Sequence, residues 1–212
     1  MNSQSANLPT GLERVPVIGI LRGCPFRYAE AVAGAAIGAG LTVIEVTLDS
    51  ERPLDQIATI RDAFPDVEVG AGSVRRAEDV AAAVGAGASF IVSPIVDEEA
   101  IRAAREFGVA ALPGAATPTE IDQARRHGAT AVKVFPIEQL GGPAYIQAIL
   151  SPLGSPPLIP TGGVTVDSIP LYLRAGAVAV GLGGTLFPKP ALESGDTSTV
   201  ARLAMEVIGV LR

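Results

Sequence analysis

Eight short runs of β-branched and other apolar residues punctuate the chain. They are VPVIGIL (15–21), LTVIEVTL (41–48), EVGAGSV (68–74), SFIVSP (89–94), VAALPG (109–114), TAVKVF (130–135), PLIPTG (157–162) and AVAVGLG (177–183). Most are nearly continuous in hydrophobicity and bounded by Gly, Pro or charge, the pattern of strands buried on both faces of a parallel sheet. Their starts lie 20–27 residues apart, room for one strand, one helix and two short loops. The segments between them have helical periodicity. Ala29, Val32, Ala33 and Ala36 form one stripe within 26–39; Leu54, Ile57, Ile60 and Phe64 form another within 53–64. Val200, Leu203, Ala204, Val207 and Leu211 form a third within 197–211.

The junctions repeat as well. IGAGLTVIEV, VGAGASFIVS, RHGATAVKVF and RAGAVAVGLG each place Gly and Ala just before a strand, where glycine ends a helix by accepting a left-handed backbone. Eight strand–helix units predict a single (β/α)8 barrel spanning 1–212, with 1–14 as a segment preceding the first strand. A doubly wound open sheet gives the same alternation. The count of eight, and the lack of a GxGxxG turn after the first strand, favour the barrel.

Composition narrows the function classes. Hydrophobic residues make up 48% of the chain and charged residues 18%, which excludes a disordered chain. No apolar run approaches the roughly 20 residues of a membrane span, and the start MNSQSANLPTGLERV has no apolar stretch behind a basic one. A cytoplasmic protein with no membrane partner is expected. A net charge of −6 with 4% aromatics argues against a nucleic-acid partner. One histidine and one cysteine exclude a multi-histidine metal centre and an internal disulfide, so no metal is expected.

The most informative count is two lysines against fourteen arginines. Lys189 sits in FPKP, a loop. Lys133 sits inside AVKVF, the sixth predicted strand. A snorkelling or edge-strand lysine is the bland alternative. An inward lysine in a barrel is desolvated, which favours its neutral form. A neutral amine can attack a carbonyl and form a Schiff base, whereas arginine stays protonated. Such an amine needs a proton shuttle, and Glu45 in the second predicted strand is a lone carboxylate in an equally apolar setting. Both strands are even-numbered, so the two side chains can share an interior layer. Glu45 as a mere structural ion-pair partner, for example of Arg22, is the rival account.

Candidate anion sites cluster at strand ends. PTGGVTVDS follows the seventh predicted strand and GLGGTL ends the eighth, the recurrent phosphate position of this fold. Thr161, Gly162, Gly163, Gly183 and Gly184 are the phosphate candidates. Arg22 in GILRG has a fork suited to a carboxylate, although it could equally be a rim arginine. Ser73 and Thr117 are hydroxyls at strand ends that could touch substrate. Thr117 also reads as a helix cap, with Pro118 next and Glu120 at capping-box spacing. His127 reads as a helix C-terminal cation, and nothing marks Cys24 as activated.

The motifs IGILRG, VIEVTL, VGAGSV, FIVSP, LPGAATPTE, VKVFP and PTGGV occur in order over most of the chain. As a set they resemble the 2-keto-3-deoxy-6-phosphogluconate aldolases and their phosphogalactonate and 4-hydroxy-2-oxoglutarate relatives. The resemblance implies a class I, metal-independent aldolase that needs no cofactor, forms a Schiff base with pyruvate and assembles as a homotrimer of barrels. It makes Lys133 the Schiff-base residue and Glu45 the general acid/base. It implies that Ser73 binds pyruvate, that Pro113 lines the pocket, and that Thr161, Gly162 and Gly163 hold phosphate. The expected partners are pyruvate and a phosphorylated aldehyde. Two positions depart from the family pattern. Asp49 stands where the phosphogluconate enzymes have arginine after EVTL, with Arg22 as the replacement anion handle. Gly184 stands where a serine is common.

Two other accounts use the same residues. A phosphosugar isomerase or synthase would use Glu45 as base and Lys133 as an electrostatic clamp. A non-catalytic metabolite-binding barrel would keep both idle, at the desolvation cost of a buried ion pair.

Overall fold

The computed structural model describes residues 7–212; the first six residues of the predicted N-terminal segment lie outside the described residues. The apolar runs become strands β1 (Val17–Leu21), β2 (Val43–Thr47), β3 (Glu68–Gly72), β4 (Phe90–Val92), β5 (Ala110–Leu112), β6 (Gly114–Ala115), β7 (Val132–Val134), β8 (Leu158–Pro160) and β9 (Val180–Leu182). The first helices are α1 (Gly11–Arg14), α2 (Phe26–Gly38), α3 (Pro53–Ala63), α4 (Ala77–Gly85), α5 (Glu98–Glu106) and α6 (Pro118–Arg126). They are followed by α7 (Ile137–Leu140), α8 (Gly142–Leu150), α9 (Ile169–Arg174), α10 (Lys189–Ser194) and α11 (Thr197–Gly209).

All strand pairings are parallel. Six strands form a curled sheet in the order β5-β4-β3-β2-β1-β9, and three form a second in the order β6-β7-β8. The fifth predicted strand is thus divided in two. Proline at 113 has no N–H to give the ladder, and its carbonyl instead accepts the Lys133 N–H at 2.9 Å. The Thr130 N–H donates to the Ala111 carbonyl at 2.9 Å. At the other side, Thr161 and Gly181 form an isolated parallel bridge, and the Val178 N–H donates to the Leu158 carbonyl at 3.0 Å.

Alternate strand residues fall into separate buried clusters. Ile18, Ile20, Val43, Phe90, Val92, Leu112, Ala131 and Ile159 pack together, while their neighbours Val17, Leu21, Ile44, Val46, Ile91, Val132, Val134 and Leu158 pack with the helices. Period-two alternation sorts the two sets, so the concave side of the sheet encloses its own apolar layer. α1 plugs the end of this layer nearest the strand N-termini. Leu12 joins the inner cluster and Gly11 N–H donates to Glu68 Oε2 at 2.7 Å.

The junction glycines behave as expected: Gly40, Gly87, Gly128 and Gly176 have φ of 114°, 102°, 94° and 101°. One stripe differs from expectation. In α3, Leu54 is exposed and Gln56 is buried instead. Gln56 Nε2 donates to the carbonyls of Cys24 at 2.8 Å and Glu51 at 2.6 Å, so a polar side chain is buried where its hydrogen bonds join two loops. No helix among the described residues is long and apolar enough to cross a membrane.

Candidate active site

Strand alternation aims Lys133 inward. Val132 and Val134 on either side are fully buried against the helices, and Lys133 is only 7% exposed. By the same parity Glu45, between Ile44 and Val46, enters the interior and is 1% exposed. Lys133 Nζ lies 4.0 Å from Glu45 Oε1, ion-pair distance but beyond a direct hydrogen bond. Among the described residues Glu45 Oε1 is buried without a hydrogen-bond partner. Apolar Ile18, Ile20, Val92, Leu112 and Ile159 surround the pair, so its field is little screened. Phe135 presents its ring 5.6 Å from Lys133 Nζ.

A glycine makes room for this carboxylate. A Cβ on Gly72 would stand 1.8 Å from Glu45 Oε1 and 2.5 Å from its Cδ. Without a side chain at the end of β3, Glu45 can lie across it.

Above the pair opens a cavity of about 770 Å³. Arg22 follows β1, Asp49 follows β2, Ser73 follows β3, Pro94 follows β4, Thr161 follows β8 and Gly183 follows β9, and all of them line it. The site therefore lies at the C-terminal ends of parallel strands, where α/β proteins place ligands.

Arg22 ion-pairs with Asp49 and donates to Ser73 Oγ at 3.1 Å. Glu45 pairs with Lys133 and not with Arg22. Burial pushes the Asp49 carboxyl up, but hydrogen bonding from Thr47 and the charge and hydrogen bond of Arg22 outweigh it and hold the group below its usual range. Ser73 has φ of 60°, a left-handed backbone unusual for a residue with a Cβ and common at functional turns.

Two glycine turns complete the lining, one after β8 and one after β9, the strand paired with β1. Gly162 and Gly163 have φ of 90° and 83°, and Thr161 Oγ1 donates to the Ile159 carbonyl at 3.3 Å. A Cβ on Gly183 or Gly184 would meet nothing within 4 Å, so these glycines present bare backbone to the open cavity. Thr185 ties the turns together by donating to the Val164 carbonyl at 2.7 Å.

Two expected contacts do not reach the cavity. Pro113 is buried and does not line it; its part is the carbonyl bond to Lys133 N–H. Thr117 is a helix cap. Its hydroxyl accepts the Glu120 N–H at 3.3 Å, while Glu120 Oε2 accepts the N–H groups of Thr117 at 2.8 Å and Ala116 at 2.9 Å. Thr117→Ala should lower stability by about 1 kcal/mol in a urea melt and leave turnover unchanged. Lost turnover at wild-type stability would put Thr117 back in the site.

Other singled-out residues lie elsewhere. Cys24 is buried, and desolvation together with Glu51 raises its thiol to about 11, which removes it as a nucleophile. His127 is the C-cap of α6, with Nδ1 3.7 Å from Glu98 Oε2. Lys189 is exposed and pairs with Glu193 at 3.6 Å. Sequence reasoning missed Phe135, Arg75, Arg76, Asp79 and Thr185, all of which line the cavity. The adjacent arginines after GAGSV were the available signal. Nothing local distinguishes Phe135 or Thr185.

A buried amine beside a buried carboxylate, beneath a cavity with arginine on one wall and glycine turns on another, defines a parallel α/β protein equipped for carbonyl chemistry on an anionic ligand. A family model for the KDPG and KHG aldolases matches residues 10–203, and the chain belongs to that family of lyases. The 2-dehydro-3-deoxy-phosphogluconate aldolase of Dickeya dadantii is 34% identical over 206 residues, which cover 95% of this chain and 97% of its own. The 2-dehydro-3-deoxy-6-phosphogalactonate aldolase of Escherichia coli is 38% identical over 176 residues, covering 82% and 85%. Among solved structures, KDPG aldolase from Legionella pneumophila, with pyruvate captured at low pH as a covalent carbinolamine, is similar at a TM-score of 0.86. That pair is 28% identical, with 93% and 96% of the two chains covered.

Proposed function

We propose that this protein is a class I aldolase that reversibly cleaves a 2-keto-3-deoxy-6-phospho sugar acid to pyruvate and glyceraldehyde 3-phosphate. The observation that carries the proposal is the 4.0 Å approach of Lys133 Nζ to Glu45 Oε1 inside an apolar shell. The Lys133 amine attacks the C2 ketone through its nitrogen electron pair and forms a carbinolamine. Glu45 shuttles protons, directly or through a water, as the carbinolamine hydroxyl leaves as water and the iminium forms. Glu45 then takes the proton of the C4 hydroxyl. The C4 oxygen pair becomes the aldehyde carbonyl, the C3–C4 bond breaks, and its electrons pass into the iminium to give an enamine. Protonation at C3 and hydrolysis release pyruvate and free the lysine. The iminium is the electron sink, so the scheme calls for no metal or organic cofactor.

In this scheme Ser73 and the Arg22 fork hold the substrate carboxylate. Thr161, Gly162, Gly163, Gly183 and Gly184 hold the phosphate through backbone donors. We also propose that the two sheets close as one (β/α)8 barrel; the Thr161–Gly181 bridge and the bond from Lys133 N–H to Pro113 support it. The chain is expected to act in the cytoplasm as a homotrimer, and exposed Ile95 and Phe135, which share one surface depression, suit such a contact.

Borohydride reduction in the presence of pyruvate, followed by peptide mass mapping, tests the chemistry. The expected result is one adduct, on Lys133. No adduct would sink the proposal and favour Lys133 as an electrostatic clamp.

A further inference from the structure

The three arginines lining the cavity differ in how they are held. Arg22 is engaged by Asp49 and Ser73. Arg75 and Arg76 also line the cavity, and among the described residues neither guanidinium has an ion-pair or hydrogen-bond partner. Their backbone, by contrast, is anchored. Val74 between them and Ser73 is fully buried, with its N–H on the Val92 carbonyl at 3.2 Å. Asp79 Oδ2 accepts the Arg75 N–H at 3.3 Å, and Arg76 is the N-cap residue of α4. Two exposed, unpartnered cations thus stand side by side on a fixed turn at the mouth.

The charges around the cavity set these two arginines apart. Three arginines line it (Arg22, Arg75 and Arg76) against two carboxylates, Asp49 and Asp79, while Lys133 at its floor is matched by Glu45. The whole chain carries −6. The cavity is therefore positive on an acidic protein, and Asp49 already answers Arg22. A concave wall of one sign concentrates ligands of the other.

We propose that Arg75 and Arg76 are specificity residues. They reach the substrate phosphate from the β3 side of the mouth, in addition to the backbone donors of the glycine turns, and strengthen a preference for ligands bearing both carboxylate and phosphate over ligands with carboxylate alone. This rests on the aldolase assignment for the kind of ligand, but not on the Schiff-base chemistry. Their unpartnered guanidinium groups have the planar fork that suits phosphate.

The test separates the two. 6-Phosphogluconate and gluconate have no keto group and cannot form a Schiff base, so calorimetric binding reads the anion contacts alone. Wild type should bind the phosphorylated probe about tenfold or more tightly than the plain one at low ionic strength, with the gap narrowing at high salt. R75Q/R76Q should narrow that gap about threefold or more, the glycine-turn donors keeping the remainder, and R75K/R76K should keep most of it. Melting temperatures of both variants check the fold. An unchanged gap in R75Q/R76Q, or no gap in wild type, overturns the proposal. Failure of pyruvate trapping on Lys133 would overturn the aldolase assignment while leaving the binding comparison to decide the role of the arginines.

Discussion

Lys133→Arg is expected to abolish borohydride trapping and to lower turnover by at least about 10⁴-fold, the scale seen when a covalent nucleophile is removed. The substitution keeps a cation in β7. A guanidinium stays protonated at any working pH and has no free pair for a ketone. An electrostatic role for Lys133 would survive the change in large part, whereas nucleophilic attack would not. Because Lys133 is only 7% exposed, Lys133→Met serves as a second variant of similar length without charge. Turnover within tenfold of wild type in either folded variant would remove Lys133 from the chemistry.

Glu45→Gln should lower kcat by about 10²–10⁴-fold, the usual worth of a positioned proton shuttle. The amide keeps the shape but cannot take the C4 hydroxyl proton. Gly72→Ala reaches the same group by geometry. The new methyl would stand 1.8 Å from Glu45 Oε1, so the carboxylate must move by an ångström or more, a displacement that costs about 10²-fold in rate. Overpacking adds about 1–3 kcal/mol of destabilisation, which a denaturant melt reads separately. Single-turnover rates on the phosphorylated substrate check both variants. Full activity in Gly72→Ala would show that the position of Glu45 does not matter.

Much of this was legible in the chain. Lys133 and Glu45 stood out because each is one ionisable group in an apolar strand, and burial makes such placement expensive without a partner or a task. The strand runs and the Gly-Ala junctions were visible because backbone geometry writes them locally: period-two burial, and a left-handed residue at each helix end. The glycine turns after β8 and β9 were visible for the same reason. Leu54 and Thr117 show the limits of that logic. A helical stripe tells which face is apolar, not that Gln56 will take the buried place by bonding to two loops. A hydroxyl at a strand end serves equally as a substrate contact or as a helix cap.

The sequence by itself marked the apolar strand runs, their order and the longer helices, and singled out Lys133 and Glu45, because these patterns are written among neighbours along the chain; the split of the fifth predicted strand at Pro113 was not among them. Tertiary structure decided the rest. It set the 4.0 Å spacing of Lys133 and Glu45, the gap at Gly72 that admits the carboxylate, and the pairing of Arg22 with Asp49. It also brought Arg75, Arg76 and Thr185 to the same cavity. These are contacts between strands and turns distant in sequence. Their distances follow from parallel register and sheet curvature, which no local pattern encodes.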